Sequence, residues 1–574
     1  MSDQAAISPA GLKPVAFSRP FMHALLVLAT AVAFADSSIV VLAVPEIVSD
    51  FDVGVSSASW VVTAYNLAVV VAGLVLLRLV RGFSPSTLAA LGLIVFGAAS
   101  AICAAAPNLA VLVTLRGVQG VGAAALLVAA LPLLERAGRG ATPWLLAATI
   151  GTAAGPALGG LLTEFFSWRS IFIVQAPLLV VGVVALMSAG AAVPAPTVER
   201  LLPERRTGYA LASLALLSAA LVGALFLVIV LLIAGLRWDP LPASLVATTL
   251  PVLALIADRF SRRLPELAAA VTGCLLVAGG LAVLGLLPGP EIVLVLAGLG
   301  LCGIGLGLAS HPLGDRALGR SPSVAAGNRT VVARHAGLVV GLLVVTPLLV
   351  NSFDGLRTDA EEVVGKTVLE APIPLQTKLP LMIDLNQGAS ASQASPPDVD
   401  AIFEGHGGES DAAVAQLKDD FTSQMDELVV RTFRNALLAT ALFALLAAAA
   451  ALGLGQASTE LRRRRSLAAV AVAAVAGVAL LGVEVAMGAT DDPVAAVDPC
   501  NSELQLQGGG IDFAVQRAAL KGIDALACRT GTTRVELLKR ALGGDSSTGL
   551  DLPQLPSLPP LPGLLPPGGP PGPP

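Results

Sequence analysis

Apolar runs of 17–25 residues, separated by short polar stretches, dominate the chain, and runs of that length suit helices that cross a bilayer. They fall at about 21–44, 60–78, 86–106, 109–132, 143–163, 170–190, 209–235, 242–258, 267–287, 291–311, 330–350, 434–455 and 467–487, predicting thirteen spans. The eighth is the weakest, because Pro242 and Pro251 interrupt it. Two stretches break the pattern. Residues 351–431 are polar and acidic, with helical period returning from Ala412 to Leu428 and expected to run into the twelfth span. Residues 488–574 open with an apolar stripe at Ile511, Val515, Ala519, Ile523 and Leu526, the period of a helix. A Thr533-x-x-Glu536 capping box then predicts a second helix through Leu542, and a Pro/Gly-rich tail that cannot bury a core follows.

Composition agrees with this pattern. Of 574 residues, 55% are hydrophobic and 13% charged, about half the charge of a soluble domain, and mean hydropathy is +0.81. The net charge of -5 says little, since it is divided between two sides of a membrane. The basic residues set the orientation. With the N-terminus inside, Lys13 and Arg19, Arg78 and Arg81, Arg136 and Arg139, Arg200, Arg205 and Arg206, Arg259, Arg262 and Arg263, Arg316, Arg320, Arg329 and Arg334, and Arg462–Arg465 all face the cytoplasm. The short outer loops keep only Arg169 and Arg237. An odd number of spans places the C-terminal tail outside. The first span leads into further spans without a clear cleavage site, so it reads as an uncleaved anchor.

The expected organisation is a cytoplasmic segment (1–20), a six-helix bundle (21–190), a cytoplasmic linker (191–208) and the first part of a second bundle (209–350). An extracytoplasmic insert (351–431), a twelfth span (432–455), an Arg-rich loop (456–466) and a thirteenth span (467–487) follow. A helical tail (488–543) and a disordered end (544–574) complete it. Cys103, Cys274 and Cys302 read as packing residues within spans. Cys500 and Cys528 are the two outside cysteines; a disulfide between them closes a loop worth about 3–4 kcal/mol on the chain-entropy model, and two free thiols are the other reading.

Two charges lie at membrane depth, where an unpaired guanidinium costs about 2.5–3.5 kcal/mol on insertion scales. Counting at 1.5 Å per residue, Asp36 sits roughly 13 Å and Arg116 roughly 10 Å below the outer end of their helices. Such a pair is either a permanent structural ion pair or a proton-coupling device, in which protonation of the aspartate frees the arginine. Gly151, Gly155 and Gly159 recur every four residues on one face and allow a close helix contact, while Pro156 weakens the local ladder. Tyr65, Asn66, Gln119 and Gln175 offer polar contacts in a cavity. His23, His311 and His335 read as solvated residues near cytoplasmic helix ends, and Glu484 as reaching solvent at the outer end of the last span.

In order, these residues resemble the major facilitator superfamily in its drug:proton antiporter branch. Ala35-Asp36-Ser37-Ser38-Ile39-Val40 with Pro45 is similar to the acidic motif of the first helix, and Trp60-Val61-Val62-Thr63-Ala64-Tyr65 to the start of the second. Leu115-Arg116 with Gln119-Gly120 is similar to the fourth-helix motif, and Trp168-Arg169-Ser170-Ile171-Phe172 with Pro177 to the start of the sixth. Gly151, Gly155, Pro156, Gly159 and Gly160 fill the antiporter pattern G-x-x-x-G-P-x-x-G-G. The resemblance covers residues 20–190 well and 209–350 more loosely.

It implies an all-α fold of two six-helix bundles, here with an extra C-terminal span, that rock about a central cavity. It also implies proton-coupling roles for Asp36 and Arg116. Three departures stand out. The loop after the second helix, Leu77-Arg78-Leu79-Val80-Arg81-Gly82, has arginine where the family places aspartate; the matching Asp258-Arg259-Phe260-Ser261-Arg262-Arg263 keeps its charges. The extra helix pair of fourteen-helix exporters is missing after the sixth span. The insert and tail are additions.

The expected function is proton-coupled export of a hydrophobic or amphipathic molecule across a bacterial inner membrane; the alternative is a non-transporting or lipid-handling scaffold acting through its outer modules on an envelope partner. No enzyme, metal, cofactor or nucleic-acid partner is expected. There is no metal-ligand cluster, nucleophile elbow or Walker sequence.

Overall fold

The computed structural model describes residues 19–79, 84–135, 141–188, 205–319, 324–391, 399–406, 411–454, 500, 506, 510–534 and 537. Among them every regular element is helical, and twelve segments are long and apolar enough to cross a membrane. The thirteenth apolar run, Glu484, Arg81 and the loop Arg462–Arg465 lie outside the described residues.

The first half begins with α1 (Arg19–Ile39), which passes through a 3₁₀ turn, Val40–Ala43, into α2 (Val44–Phe51), so the first span runs on past Pro45. Proline early in α2 is tolerated because the first amides of a helix have no partner to lose. A short turn, α3 (Val55–Ala58), leads into α4 (Trp60–Leu79); α5 (Pro85–Cys103), α6 (Leu109–Leu134) and α7 (Thr142–Phe165) follow. Ser84 and Asn108 cap α5 and α6, accepting the amides of Thr87 at 3.1 Å and Val111 at 3.0 Å. The sixth span is broken beside Pro177 into α8 (Trp168–Gln175) and α9 (Leu178–Ser188). Its entry is pinned to α2, where Trp168 Nε1 donates to Asp50 at 3.1 Å and Arg169 pairs with Asp50 at 2.7 Å.

The second half comprises α10 (Arg205–Val230), α11 (Pro240–Ser261), α12 (Glu266–Gly285), α13 (Ile292–Leu318), α14 (Val324–Glu370) and α18 (Arg434–Leu452). The six spans of each half pack mainly on one another. Two seams join the halves: α7 lies against α11, and α4 against α14. The eighth span, weak in sequence, is one helix that carries Pro251 within it.

The insert grows out of the membrane helices. α14 is 47 residues long and does not stop near residue 350, and α17 (Ala412–Thr432) returns almost directly into α18. Between them α15 (Leu375–Ala391) and α16 (Val399–Gly405) close a separate small core around Ile373, Leu381, Phe403, Val414 and Phe421. Lys378, buried there, donates to the carbonyls of Leu369 and Ala371 at 2.8 and 2.9 Å.

Residues 496–574 form a separate unit. Its described helix, Ile511–Thr530, carries Cys528, which is disulfide-bonded to Cys500, with Cα atoms 5.0 Å apart. Arg534 grips Asp524 through two bonds of 2.6 and 2.7 Å, both side chains buried. Most of the helix expected after Thr533 lies outside the described residues.

Candidate functional site

Helix α1 brings Asp36, and α6 brings Arg116, to one point inside the first half; both side chains are fully buried and bond at 2.5 Å (Nη1 to Oδ2). Several groups satisfy what the pair leaves over. Arg116 Nε donates to the Val61 carbonyl at 2.9 Å, and Nη1 also reaches Gln119 Oε1 at 2.6 Å. Nη2 has no hydrogen-bond acceptor; the guanidinium carbon lies 4.4 Å from the centroid of the Tyr65 ring, whose π face takes the place of one. On the other side Gln175 Nε2 donates to Asp36 Oδ1 at 2.9 Å. This pairing explains how an arginine survives at membrane depth.

Gln119 sets the register of the network. One helical turn below Arg116, its Nε2 lies within reach of Ser100 Oγ at 2.7 Å, Gln175 Oε1 at 2.8 Å and Asp36 Oδ1 at 3.4 Å. An amide nitrogen carries two hydrogens, so three acceptors compete for them. Gln119 and Gln175 are therefore partners of the charged pair. Tyr65 donates its hydroxyl to the Ala33 carbonyl at 2.8 Å. Asn66 turns toward the second half: its Nδ2 is held by the Val62 carbonyl at 2.8 Å, and Oδ1 accepts from Ser37 at 2.9 Å and meets His335 Nδ1 at 2.7 Å.

Glycines carry α7 into both neighbours. A Cβ on Gly151 would strike the Ala31 carbonyl, one on Gly155 the Ser38 side chain, and one on Gly159 the Ile39 carbonyl, all on α1. On Gly160 it would strike Ser244 of α11. Pro156 is buried between these contacts. The helix with the glycine pattern thus lines the first span and one seam between the halves.

Of the residues expected to form a cytoplasmic latch, Arg81 lies outside the described residues, and those of the second half are described singly. Arg259, Arg262 and Arg263 are exposed, Arg263 lies over the Phe260 ring at 5.2 Å, and among the described residues Asp258 forms no ion pair. Only the backbone of Arg78 is described, at the end of α4.

Two expectations need correction. His335 is 1% exposed and bonded to Asn66, and Arg334 does not face the cytoplasm: its Nη2 reaches Thr152 Oγ1 at 2.5 Å on α7. The apolar run places the eleventh span's start near 330, but α14 begins at Val324, so Arg334 stands ten residues into the helix, about 15 Å along it. The polar turn before residue 330 had hidden that start. Ser100 was also missed; a lone serine in an apolar run carries no signal.

The chain matches the family model described as Major Facilitator Superfamily over residues 26–346. It is 39% identical over 152 residues to the multidrug resistance protein Stp of Mycobacterium tuberculosis, covering 25% of this chain and 28% of that protein. It is 38% identical over 185 residues to the puromycin resistance protein pur8 of Streptomyces alboniger, covering 30% and 34%, respectively. The riboflavin transporter RibZ of Clostridioides difficile shares 33% over 170 residues, covering 29% and 37%. These alignments span little more than a third of each relative at most. In fold, the chain is similar to a bacterial homologue of the human lysosomal transporter Spinster, with a TM-score of 0.50 at 15% identity over 77% of this chain and 97% of that one. By its bacterial relatives and the twelve spans among the described residues, it is a multi-pass protein of the bacterial inner membrane. With the family pattern covering most of both helical halves, the chain belongs to the Major Facilitator Superfamily of membrane transporters.

Proposed function

We propose that the protein exports hydrophobic or amphipathic small molecules by proton antiport, with the two halves exposing a central path to each side in turn. The observation that carries this is the enclosed Asp36–Arg116 network beside the glycine-lined face of α7. Asp36 is the proton-accepting group. Protonation removes its charge and turns one carboxylate oxygen from acceptor to donor, and Gln175 can answer by turning its amide oxygen toward it. Arg116 then remains held by the Val61 carbonyl, Gln119 and the Tyr65 ring. Losing the ionic bond between α1 and α6 loosens the first span against its neighbours, and the backbone contacts of α7 with α1 and α11 pass that shift to the seam. Resistance relatives support export as the direction.

Purified protein in liposomes loaded with an amphipathic dye tests the reading. An imposed proton gradient should drive dye movement in the wild type and fail to do so in Asp36→Asn and Arg116→Ala. Gradient-driven movement surviving in both variants rejects the assignment.

A further inference from the structure

Arg334 is a second guanidinium inside the molecule, and its surroundings differ from those of Arg116. Its bonded partner is the Thr152 hydroxyl at 2.5 Å, and its guanidinium carbon lies 5.1 Å from the Phe34 ring centroid. Among the described residues no carboxylate pairs with it, and Asp36 is already committed to Arg116. Thr152 gives its own proton to the Ala148 carbonyl at 2.8 Å, so toward Arg334 it acts as a neutral acceptor. The neighbouring His335 adds a second unfilled position. Asn66 is oriented by the Val62 carbonyl, so its Oδ1 faces His335 and Nδ1 of the ring carries the hydrogen. His335 Nε2 is buried and meets no partner.

Arg334 and His335 come from the second half; Thr152, Phe34, Asn66 and the adjacent Tyr65 come from the first. The cluster therefore stands in the seam between the halves. A half-buried cation in the seam, with only a hydroxyl and a ring beside it, lacks a counter-charge. A guanidinium there can offer parallel N–H donors to an oxyanion in place of the single Thr152 contact.

We propose that Arg334 is the anion-recognition point of the substrate path and that the transported molecule is an amphipathic organic anion. Its acidic oxygens bond Arg334, its apolar body lies along Phe34 and Tyr65, and His335 Nε2 accepts from a donor on the same molecule. Binding withdraws Arg334 from Thr152 and so exchanges a contact between the halves for one with substrate. This rests on the export reading only in treating the seam as the substrate path.

Binding to the full-length protein in nanodiscs tests it without a proton gradient. The probes are 11-(dansylamino)undecanoate and the same dansyl chain ending in trimethylammonium, read by dansyl fluorescence. The carboxylate should bind at least about 10-fold more tightly than the cation, and Arg334→Gln should weaken it by about 10- to 100-fold. Thr152→Ala, which removes the competing acceptor, should tighten it severalfold, and Arg334→Lys should retain most of the preference for the anion. If Arg334→Gln does not fold, the Thr152→Ala and Arg334→Lys results decide. Equal binding of the two probes, no binding of either, or an Arg334→Gln protein that binds like the wild type overturns the proposal. Absence of gradient-driven flux in the wild type, with anion binding intact, would instead reject the coupling mechanism alone.

Discussion

The two halves are packed by the same device and furnished with different chemistry. In the first, α7 lays Gly151 and Gly155 against α1; in the second, α14 lays Gly337 and Gly341 against the carbonyls of Ala215 and Ala219 on α10. Gly92 and Gly122 bring α5 and α6 together, as Gly273 and Gly305 do for α12 and α13. The interior of the first half then holds an ion pair, two glutamines and a serine in one network. In the second, Ser213 and Ser218 on α10 turn to backbone carbonyls, of Ala447 at 2.9 Å and Leu214 at 2.8 Å. Close helix approach needs only small residues and is readily duplicated. A buried ion pair needs a complete set of partners, which the first half supplies around Asp36 and Arg116.

The largest test of this asymmetry is chemical. Asp36→Asn should lower gradient-driven flux in liposomes by about 100-fold or more, the scale of a lost acid–base group, while Ser218→Ala changes it less than about twofold. Equal losses would erase the distinction. Stability follows. Arg116→Ala strands Asp36 and should cost about 3–5 kcal/mol in detergent unfolding, and adding Asp36→Asn should recover part of that loss because the two changes are coupled. The shared packing predicts the opposite outcome for Gly155→Val and Gly341→Val. Each should cost about 1–3 kcal/mol by overpacking, with the two values close; a much cheaper change in one half would show that the glycine contacts are not equivalent.

The smallest effect belongs to the insert, an addition to the second half alone. The hydrogen bond from Lys418 at 2.7 Å holds the Asp400 carboxyl below its ordinary range. A lowered folded-state value means that the pair stabilises the insert above the ordinary carboxylate range and ceases to as pH falls through the lowered one. Hydrogen exchange in the insert should therefore be slightly faster in Lys418→Met than in the wild type near neutral pH, and the difference should vanish in acid.

Apolar run length made the spans legible, because a bilayer imposes one length on every crossing helix. The Asp36–Arg116 pairing was legible for a related reason: both charges lie within apolar runs of crossing length, although the first span runs on past Pro45 to Phe51 instead of ending there. The roles of Gln119 and Gln175 were not, since the face a helix turns inward is fixed by its neighbours. Arg334 and His335 were misplaced by a helix start hidden in polar residues. The helical period of Ala412 to Leu428 did show α17 running into the twelfth span, but hydropathy could not show that α14 carries the eleventh span onward into the insert, because a helix that leaves the bilayer changes its composition and keeps its backbone.

That continuity has a mechanical consequence. A helix of 47 residues is about 70 Å long, and about 54 Å of it lies between Arg334 and Glu370. A tilt of about 5° pivoting at Arg334 displaces the far end by about 5 Å on that rise per residue. The insert is mounted on a lever whose short arm ends in the seam between the halves, so an angle too small to notice there becomes a travel of more than a water's diameter at the tip.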